Sequence, residues 1–420
     1  MRRIYFDHAA STPLDPRVLR AMQPYFSREF GNPGSLHSYG QQAVAAVDSA
    51  RERIGKLIGA KHFREIIFTG GATEANNLAI RGAVEFYKRA HSMPADARDA
   101  RSPRVIISSI EHESVMEPAE ALAARGDIEL VKLPVNREGV VDIVALKEAL
   151  TPETALVSVM HVNNEAGTVE PLREIRFMID EFKKSVADGC APVDVPYPLF
   201  HTDAAQSFLY YYPDTELLGI DMMTISAHKM HGPKGVGALF VRRDEKAFGG
   251  GAHANSGAGG GFPLIAQALG GGQEFGVRSG TENVPGIVGF AKAAELAAAA
   301  RGKTAQRVAG LRNELWRRIK AVAPEAQANG PVGEAKAPHI LNVHFPGHPA
   351  QDLLTRFDRM GLAASSGSAC RSRAATASYV IEVLGYPKAR AAESVRFSVG
   401  KGTTARDVAA AAKIIEKALR

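Results

Sequence analysis

Cysteine is nearly absent from this sequence: its 420 residues contain only Cys190 and Cys370. A disulfide scaffold is excluded at this length, and zinc sites built on paired CxxC motifs are absent. A reducing, cytoplasmic setting is therefore expected. No apolar run approaches the roughly 18 residues needed to span a bilayer, so no membrane role is expected. The start, Met1-Arg2-Arg3-Ile4-Tyr5-Phe6-Asp7-His8, has no apolar core before Asp7 and His8 interrupt it, and no secretion signal is expected. No basic run carries interleaved aromatics, and the net charge of +6 is modest, which argues against direct nucleic-acid binding. No internal repeat occurs. The glycines of 248–261 fit no dinucleotide fingerprint, because no strand-to-helix unit surrounds them.

What is present is an alternation of short apolar runs and helical stretches. Strands are predicted at 65–69, 104–109, 128–133, 154–161, 199–203, 222–226 and 237–242. They read as near-continuous apolar runs, as strands covered on both faces do. Helical patterns lie at 73–89, 142–150 and 172–184. This order predicts an α/β domain with a mostly parallel sheet, whose ligands sit at the strand carboxyl ends. An Ala-rich helix at 287–323 connects to a second block with strands at 339–345 and 394–398 and a terminal helix at 404–419. Stretches 91–103 and 185–198 read as surface insertions, and 248–261 reads as a loop.

The most informative run is Ser226-Ala227-His228-Lys229-Met230-His231-Gly232-Pro233-Lys234-Gly235. It delivers a lysine from a buried strand end into a bend rich in Gly and Pro. Such a lysine can form a Schiff base, because desolvation and cationic neighbours lower its pKa. Asp203 ends a second apolar strand and is placed to pair with a pyridinium nitrogen. Each residue alone reads as an ordinary loop lysine or strand-end aspartate. Together they are the protein's share of pyridoxal phosphate (PLP) chemistry.

Other strand ends add polar groups to the same crevice. Gly70-Gly71-Ala72-Thr73-Glu74 opens a helix, where small residues let backbone N–H groups approach a phosphate. Thr73 is equally readable as a plain N-cap. His112 can stack on an aromatic cofactor or move a proton, or be structural. Asn163 can reach a cofactor oxygen or a substrate carboxylate, or sit in a turn. Gln206, three residues beyond Asp203, can reach the same ring. Cys370 lies in the small, polar run Ser365-Ser366-Gly367-Ser368-Ala369-Cys370-Arg371-Ser372-Arg373, where flanking arginines favour a thiolate. Cys190 lies in an insertion and reads as inert.

These motifs resemble the NifS/IscS-type cysteine desulfurases of the class V aminotransferase group. The likeness runs nearly end to end, from Asp7-His8-Ala9-Ala10 through Phe30-Gly31-Asn32-Pro33, Glu111-His112, Arg278-Ser279-Gly280-Thr281-Glu282-Asn283 and Ser365–Cys370 to Ser394-Val395-Arg396-Phe397-Ser398. The resemblance implies PLP-dependent transferase fold type I, with a large domain built on a mostly parallel seven-stranded sheet and a smaller α+β C-terminal domain. The large PLP-binding domain is expected at 17–300. The small domain is expected at 1–16 and 301–420, carrying the cysteine loop.

It also implies roles. Lys229 would hold PLP as a Schiff base and take the substrate α-proton, and Asp203 would pair with the ring nitrogen. His112 would stack on the ring, while Asn163 and Gln206 would contact its substituents. Ala72, Thr73, Ser226 and His228 would hold the phosphate, with Thr281 reaching the phosphate of a neighbouring subunit in a homodimer. Asn163 and Arg396 would bind the substrate, Arg396 clamping its carboxylate. L-cysteine would become L-alanine, leaving a persulfide on Cys370. Its sulfur would pass to an acceptor protein, such as an iron–sulfur scaffold or a tRNA-thiolation relay.

The sequence departs from the family pattern at Gly71 (often Ser), His231 (often Tyr) and Thr376-Ala377 (often Glu-Pro), and 248–269 is longer than expected. A selenocysteine lyase, another class V aminotransferase-like enzyme and a non-enzymatic scaffold stay open as alternatives.

Overall fold

In chain order the strands are β1 (Ile4–Tyr5), β2 (Ile66–Thr69), β3 (Arg104–Ser108), β4 (Glu129–Leu133), β5 (Thr154–Ser158), β6 (Leu199–Asp203), β7 (Met222–Ser226), β8 (Gly237–Val241), β9 (Gln327–Asn329), β10 (Ile340–His344), β11 (Leu362–Ala363) and β12 (Ser394–Ser398). They belong to a computed structural model that describes residues 3–91, 102–187, 197–244, 261–331, 336–367 and 377–420. Most of the insertions noted above lie outside the described residues.

The seven expected strands form one sheet in the order β2-β8-β7-β6-β5-β3-β4. All pairs are parallel except those made by β8, which is antiparallel to both β2 and β7. Successive side chains alternate between two apolar layers. Ile66, Phe68, Ile106, Phe200, Met223, Ile225 and Phe240 enter one layer. Ile67, Val105, Ile107, Leu199, Met222 and Leu239 enter the other. Burial on both faces explains why most of these runs are apolar; the edge strand β4, with Glu129 and Lys132 exposed, is the exception. The run after Thr154 is shorter than expected as a strand, but it stays extended. Val159 N–H and His161 N–H still donate to the carbonyls of His201 and Asp203.

The 39-residue helix Val284–Val322 starts at Asn283, whose side chain accepts from Gly286 N–H. It packs against the helices Ser38–Ile58, Pro16–Met22 and Ala405–Leu419. The second block is a three-stranded antiparallel sheet, β12-β10-β9. The N-terminal strand returns to this block: β1 pairs in parallel with β11, and Asp7 bridges Ser398. Among the described residues no helix is long and apolar enough to cross a membrane.

One buried ion pair interrupts the apolar packing. Arg51, on the helix Ser38–Ile58, donates to both oxygens of Glu274 at 2.7 and 2.9 Å, and both side chains are almost fully buried. Arg51 also donates to the Ile66 carbonyl, and Phe68 N–H donates to Glu274 at 2.9 Å. The guanidinium lies 4.8 Å from the ring centroids of both Phe68 and Phe275. The pair thereby ties a helix, the edge strand β2 and the turn at Glu274–Gly276, where Glu274 and Phe275 both take left-handed backbone angles.

Removing one partner leaves the other charge buried and unpaired. Arg51→Met is expected to cost about 3–5 kcal/mol, read as a lower urea midpoint by circular dichroism. Arg51→Met combined with Glu274→Met should regain most of that loss. An unchanged midpoint in the single variant would show that the pair carries no structural weight.

Candidate active site

The carboxyl ends of β2, β3, β5, β6 and β7 open on one edge of the sheet. The segments that follow them enclose a cavity of about 830 Å³, whose walls include Thr73, His112, Asn164, Asp203, Lys229 and Arg396. The convergence follows from strand direction: five parallel strands release their polar loop residues on the same side.

Lys229 ends a short helical turn, Ala227–Lys229, directly after β7. Its Nζ donates to the carbonyls of Ala9 at 2.6 Å and Ala10 at 3.0 Å. The turn is laced to the N-terminal segment. Thr12 donates to the His228 carbonyl from both its N–H and its hydroxyl, and His231 N–H donates to Thr12 Oγ1 at 2.7 Å. Asp15 N–H donates to the His231 carbonyl. His231 itself sits at φ 66°, a strained angle for a residue with a Cβ.

Asp203 is 5% exposed and faces the cavity. One carboxylate oxygen accepts from Ala205 N–H at 2.9 Å, the other from Asn76 Nδ2 at 2.7 Å. Asn76 also donates to Ser114 Oγ at 2.7 Å, and that hydroxyl lies 2.8 Å from His112 Nδ1. Ser114 N–H donates to the same ring nitrogen at 3.1 Å, with His112 as cap of the helix Glu113–Ala124. With two donors on Nδ1, the network assigns the His112 proton to Nε2. Burial pushes the His112 pKa down, aided by Lys229 and opposed by Asp203, so the ring favours its neutral form. Sequence reasoning missed Asn76 and Ser114. Asn76 lies beyond the first turn of its helix, and Ser114 opens a helix that the sequence pattern did not single out.

The helix Ala72–Ala90 begins at Gly71, which offers no side-chain cap. Thr73 is therefore not the N-cap, and the first-turn N–H groups at Ala72 and Thr73 are left for an anion. Gly71 stands at φ 153°, and a Cβ on Gly237 of β8 would come within 2.8 Å of the Gly71 carbonyl carbon. The close passage of these two segments needs glycine. Arg278 braces the turn by donating to Glu74 at 2.6 Å, while Glu74 accepts from Gly70 N–H at 2.7 Å. Ser226 Oγ is buried without a partner among the described residues. Burial, with Lys229 and Lys234 nearby, lowers the His228 pKa to about 4.

Arg396, on β12, is 3% exposed. Nη1 donates to the Asn164 carbonyl and Nη2 to Asp7 Oδ1, each at 2.8 Å. Gln206 donates to the Ala9 carbonyl at 2.8 Å, and its Oε1 lies 3.3 Å from His339 Nε2. Asn163 requires a correction. It is fully buried, its Oδ1 accepts from Glu165 and Ala166 N–H, and its Nδ2 donates to the Ile110 carbonyl. That amide caps a turn, and Asn164 faces the cavity in its place. Thr281 is exposed and does not line this cavity. Cys370 and Cys190 lie outside the described residues.

The donor set fits PLP. Asp203 is a buried carboxylate with no lysine or arginine ion pair among the described residues, as a cationic ring nitrogen requires. An uncapped helix start and an orphaned serine hydroxyl fit a phosphate, and Lys229 stands at the same cavity. Among the described residues, no group of three or more His, Cys, Asp or Glu could hold a metal.

Comparison with known proteins gives the same direction. Residues 4–410 match the family described as Aminotransferase class-V. A cysteine desulfurase IscS of Dictyoglomus turgidum is 38% identical over 416 residues, covering 99% of this chain and 94% of that relative. A mitosomal cysteine desulfurase of Trachipleistophora hominis is 39% identical, covering all of this chain and 86% of the relative. A solved NifS-like protein superposes with a TM-score of 0.83 at 31% identity, covering 99% of this chain and 98% of its own.

Asn76→Ala removes the donor that holds Asp203 and orders Ser114. It is expected to weaken PLP binding about tenfold, the size of one hydrogen bond to a charged group. Titration of the visible absorbance band would measure this, with helix content by circular dichroism unchanged. Unaltered PLP affinity would show that Asp203 needs no such support.

Proposed function

This chain belongs to the class V aminotransferase family, and we propose that it is a PLP-dependent cysteine desulfurase. The observation that carries the reading is the meeting, in one cavity, of Lys229, the supported carboxylate of Asp203 and the guanidinium of Arg396. The sequence adds a cysteine three residues beyond Gly367, which lines that cavity.

Bound PLP supplies an electron sink for charge developing at the substrate Cα. Asp203 would hold the ring nitrogen in its charged form, and His112 would meet the ring as a neutral imidazole. Ala72, Thr73, Ser226 and His228 would hold the phosphate. Arg396 binds the L-cysteine carboxylate with the N–H groups that Asn164 and Asp7 leave over, and Asn164 contributes its amide at the cavity wall. Lys229 leaves the carbonyls of Ala9 and Ala10 to take the Cα proton. The Cys370 thiolate then attacks the substrate sulfur. An S–S bond forms, the C–S bond breaks, and Cβ gains a proton. L-cysteine and one thiol give L-alanine and one persulfide, with no external oxidant or reductant. The sulfur passes to an acceptor protein of iron–sulfur assembly or tRNA thiolation in the cytoplasm.

The working unit is a homodimer. Its support is a run of exposed apolar side chains, Phe26, Phe30, Leu36 and Tyr39, together with the exposed Thr281. Leu36 is 93% exposed, an apolar surface that a partner copy would cover.

Cys370→Ser is expected to keep the visible PLP band and its response to L-cysteine, but to lose alanine and sulfide formation. Lys229→Ala should lose the band of the lysine-bound cofactor. Full desulfurase activity in Cys370→Ser would sink the reading. Light scattering should return twice the 44.9 kDa chain mass, and a monomer carrying full activity would refute the dimer.

A further inference from the structure

Glu165 is 3% exposed and lies one residue beyond Asn164. Its main chain is fixed on both sides. Its N–H donates to Asn163 Oδ1 at 2.9 Å, and its carbonyl accepts from Asn342 of β10 at 3.3 Å. Its carboxylate therefore has a defined position between the large sheet and the small one.

One oxygen of that carboxylate, Oε2, meets two distant pieces of chain. Ser378 Oγ donates to it at 2.5 Å. Ser378 is buried and caps the helix Tyr379–Val383 by accepting from Ile381 N–H. Gly367 packs against the same oxygen: a Cβ there would lie 2.2 Å from Oε2. Gly367 also holds φ at 93°, which a residue with a side chain rarely adopts. Its N–H donates to Ser365 Oγ at 3.2 Å, and Ser365 exchanges two backbone hydrogen bonds with Arg396, at 3.1 and 2.6 Å.

Residues 367 and 378 flank the stretch that contains Cys370. Both roots of that stretch thus converge on one buried carboxylate, next to the arginine of the substrate cavity. Fixing both ends limits the volume a tethered group can search and raises its effective concentration at the target. We propose that Glu165 is a positioning residue for sulfur transfer, holding Gly367 and Ser378 together so that Cys370 is presented to the substrate sulfur. This rests on the desulfurase reading. It adds a residue that touches neither cofactor nor substrate, yet governs the thiol step.

The test separates cofactor chemistry from thiol delivery. Holoenzyme is mixed with L-cysteine, the visible band is followed by stopped flow, and Cys370 persulfide is followed by quenched mass spectrometry. Glu165→Ala should change the rate of the band shift by no more than about twofold, and slow persulfide formation about tenfold or more. Glu165→Gln keeps an acceptor for Ser378 and should stay within about threefold of the parent. Ser378→Ala leaves the carboxylate in place and should slow persulfide formation about threefold or more.

Persulfide formation at the parent rate in Glu165→Ala would overturn the proposal. So would equal slowing of both signals, or a Glu165→Gln variant as slow as Glu165→Ala. Where Glu165→Ala does not fold, Ser378→Ala decides, and an unchanged persulfide rate refutes the proposal. A parent enzyme that forms no persulfide would overturn the desulfurase reading itself. A competent parent with equally competent variants would overturn only the role of Glu165.

Discussion

The carbonyl of Ala9 accepts from Lys229 Nζ at 2.6 Å and from Gln206 Nε2 at 2.8 Å, and the site depends on the segment that presents it. Residues 7–15 touch the large sheet through the Lys229 turn and the small sheet through Asp7 and Arg396. One short segment of chain, turned at residues 8–10, therefore joins the lysine to the arginine. Strand β1 anchors this segment by pairing with β11, close in sequence to the cysteine-bearing stretch. Its influence comes from backbone groups, the Thr12 hydroxyl and one carboxylate, not from a helix or a large side chain.

Around Lys229 stands a shell of imidazoles that favour the neutral form. Burial lowers His8 and His228 to about 4, lowers His112, and lowers His339 well below its ordinary value. Neighbouring cations and the histidines' own repulsion add to the effect on His8, His228 and His339. Among the described residues, Lys229, Lys234 and Arg396 are the lysines and arginines that line the cavity. A phosphate and a carboxylate entering such a place meet these cations and the first turn of a helix, while the neutral rings serve as hydrogen-bond donors and flat surfaces. The low dielectric that neutralises the histidines also strengthens every contact to those anions.

Most strands of the large sheet were legible because they are four- or five-residue apolar runs buried on both faces; the edge strand β4, with Glu129 and Lys132 exposed, is the exception. The helix Ser38–Ile58 was not singled out, because Gly40, Ala43, Ala50 and Gly55 occupy much of its buried face and give little apolar contrast. Lys229, Asp203, His112 and Arg396 could be read from strand ends and motifs. The choice between Asn163 and Asn164 could not, since spacing does not say which of two adjacent amides caps a turn and which faces a cavity. Thr73 looked like a cap until the backbone put Gly71 in that position. Asn76 lies one turn into its helix, and Ala9 acts through its carbonyl, so neither carried a sequence signal. Glu165 was invisible for a different reason: its carboxylate meets Gly367 and Ser378, each more than two hundred positions away.

On the proposed reading, Arg396 and Lys229 prepare for the same substrate in two ways. A guanidinium has five N–H donors in a rigid fork. Asn164 and Asp7 occupy one on each Nη, and Nε is buried without a partner among the described residues. The fork is thus already oriented, with donors to spare, so a carboxylate can bind without the arginine losing further freedom. Lys229 is held differently. Its hydrogen bonds to Ala9 and Ala10 satisfy the ammonium and must be given up before the amine can react. The arginine is set to bind and the lysine to move, and the N-terminal segment controls both through adjacent residues. On the proposed reading, that arrangement places recognition of the carboxylate and release of the amine under one piece of backbone.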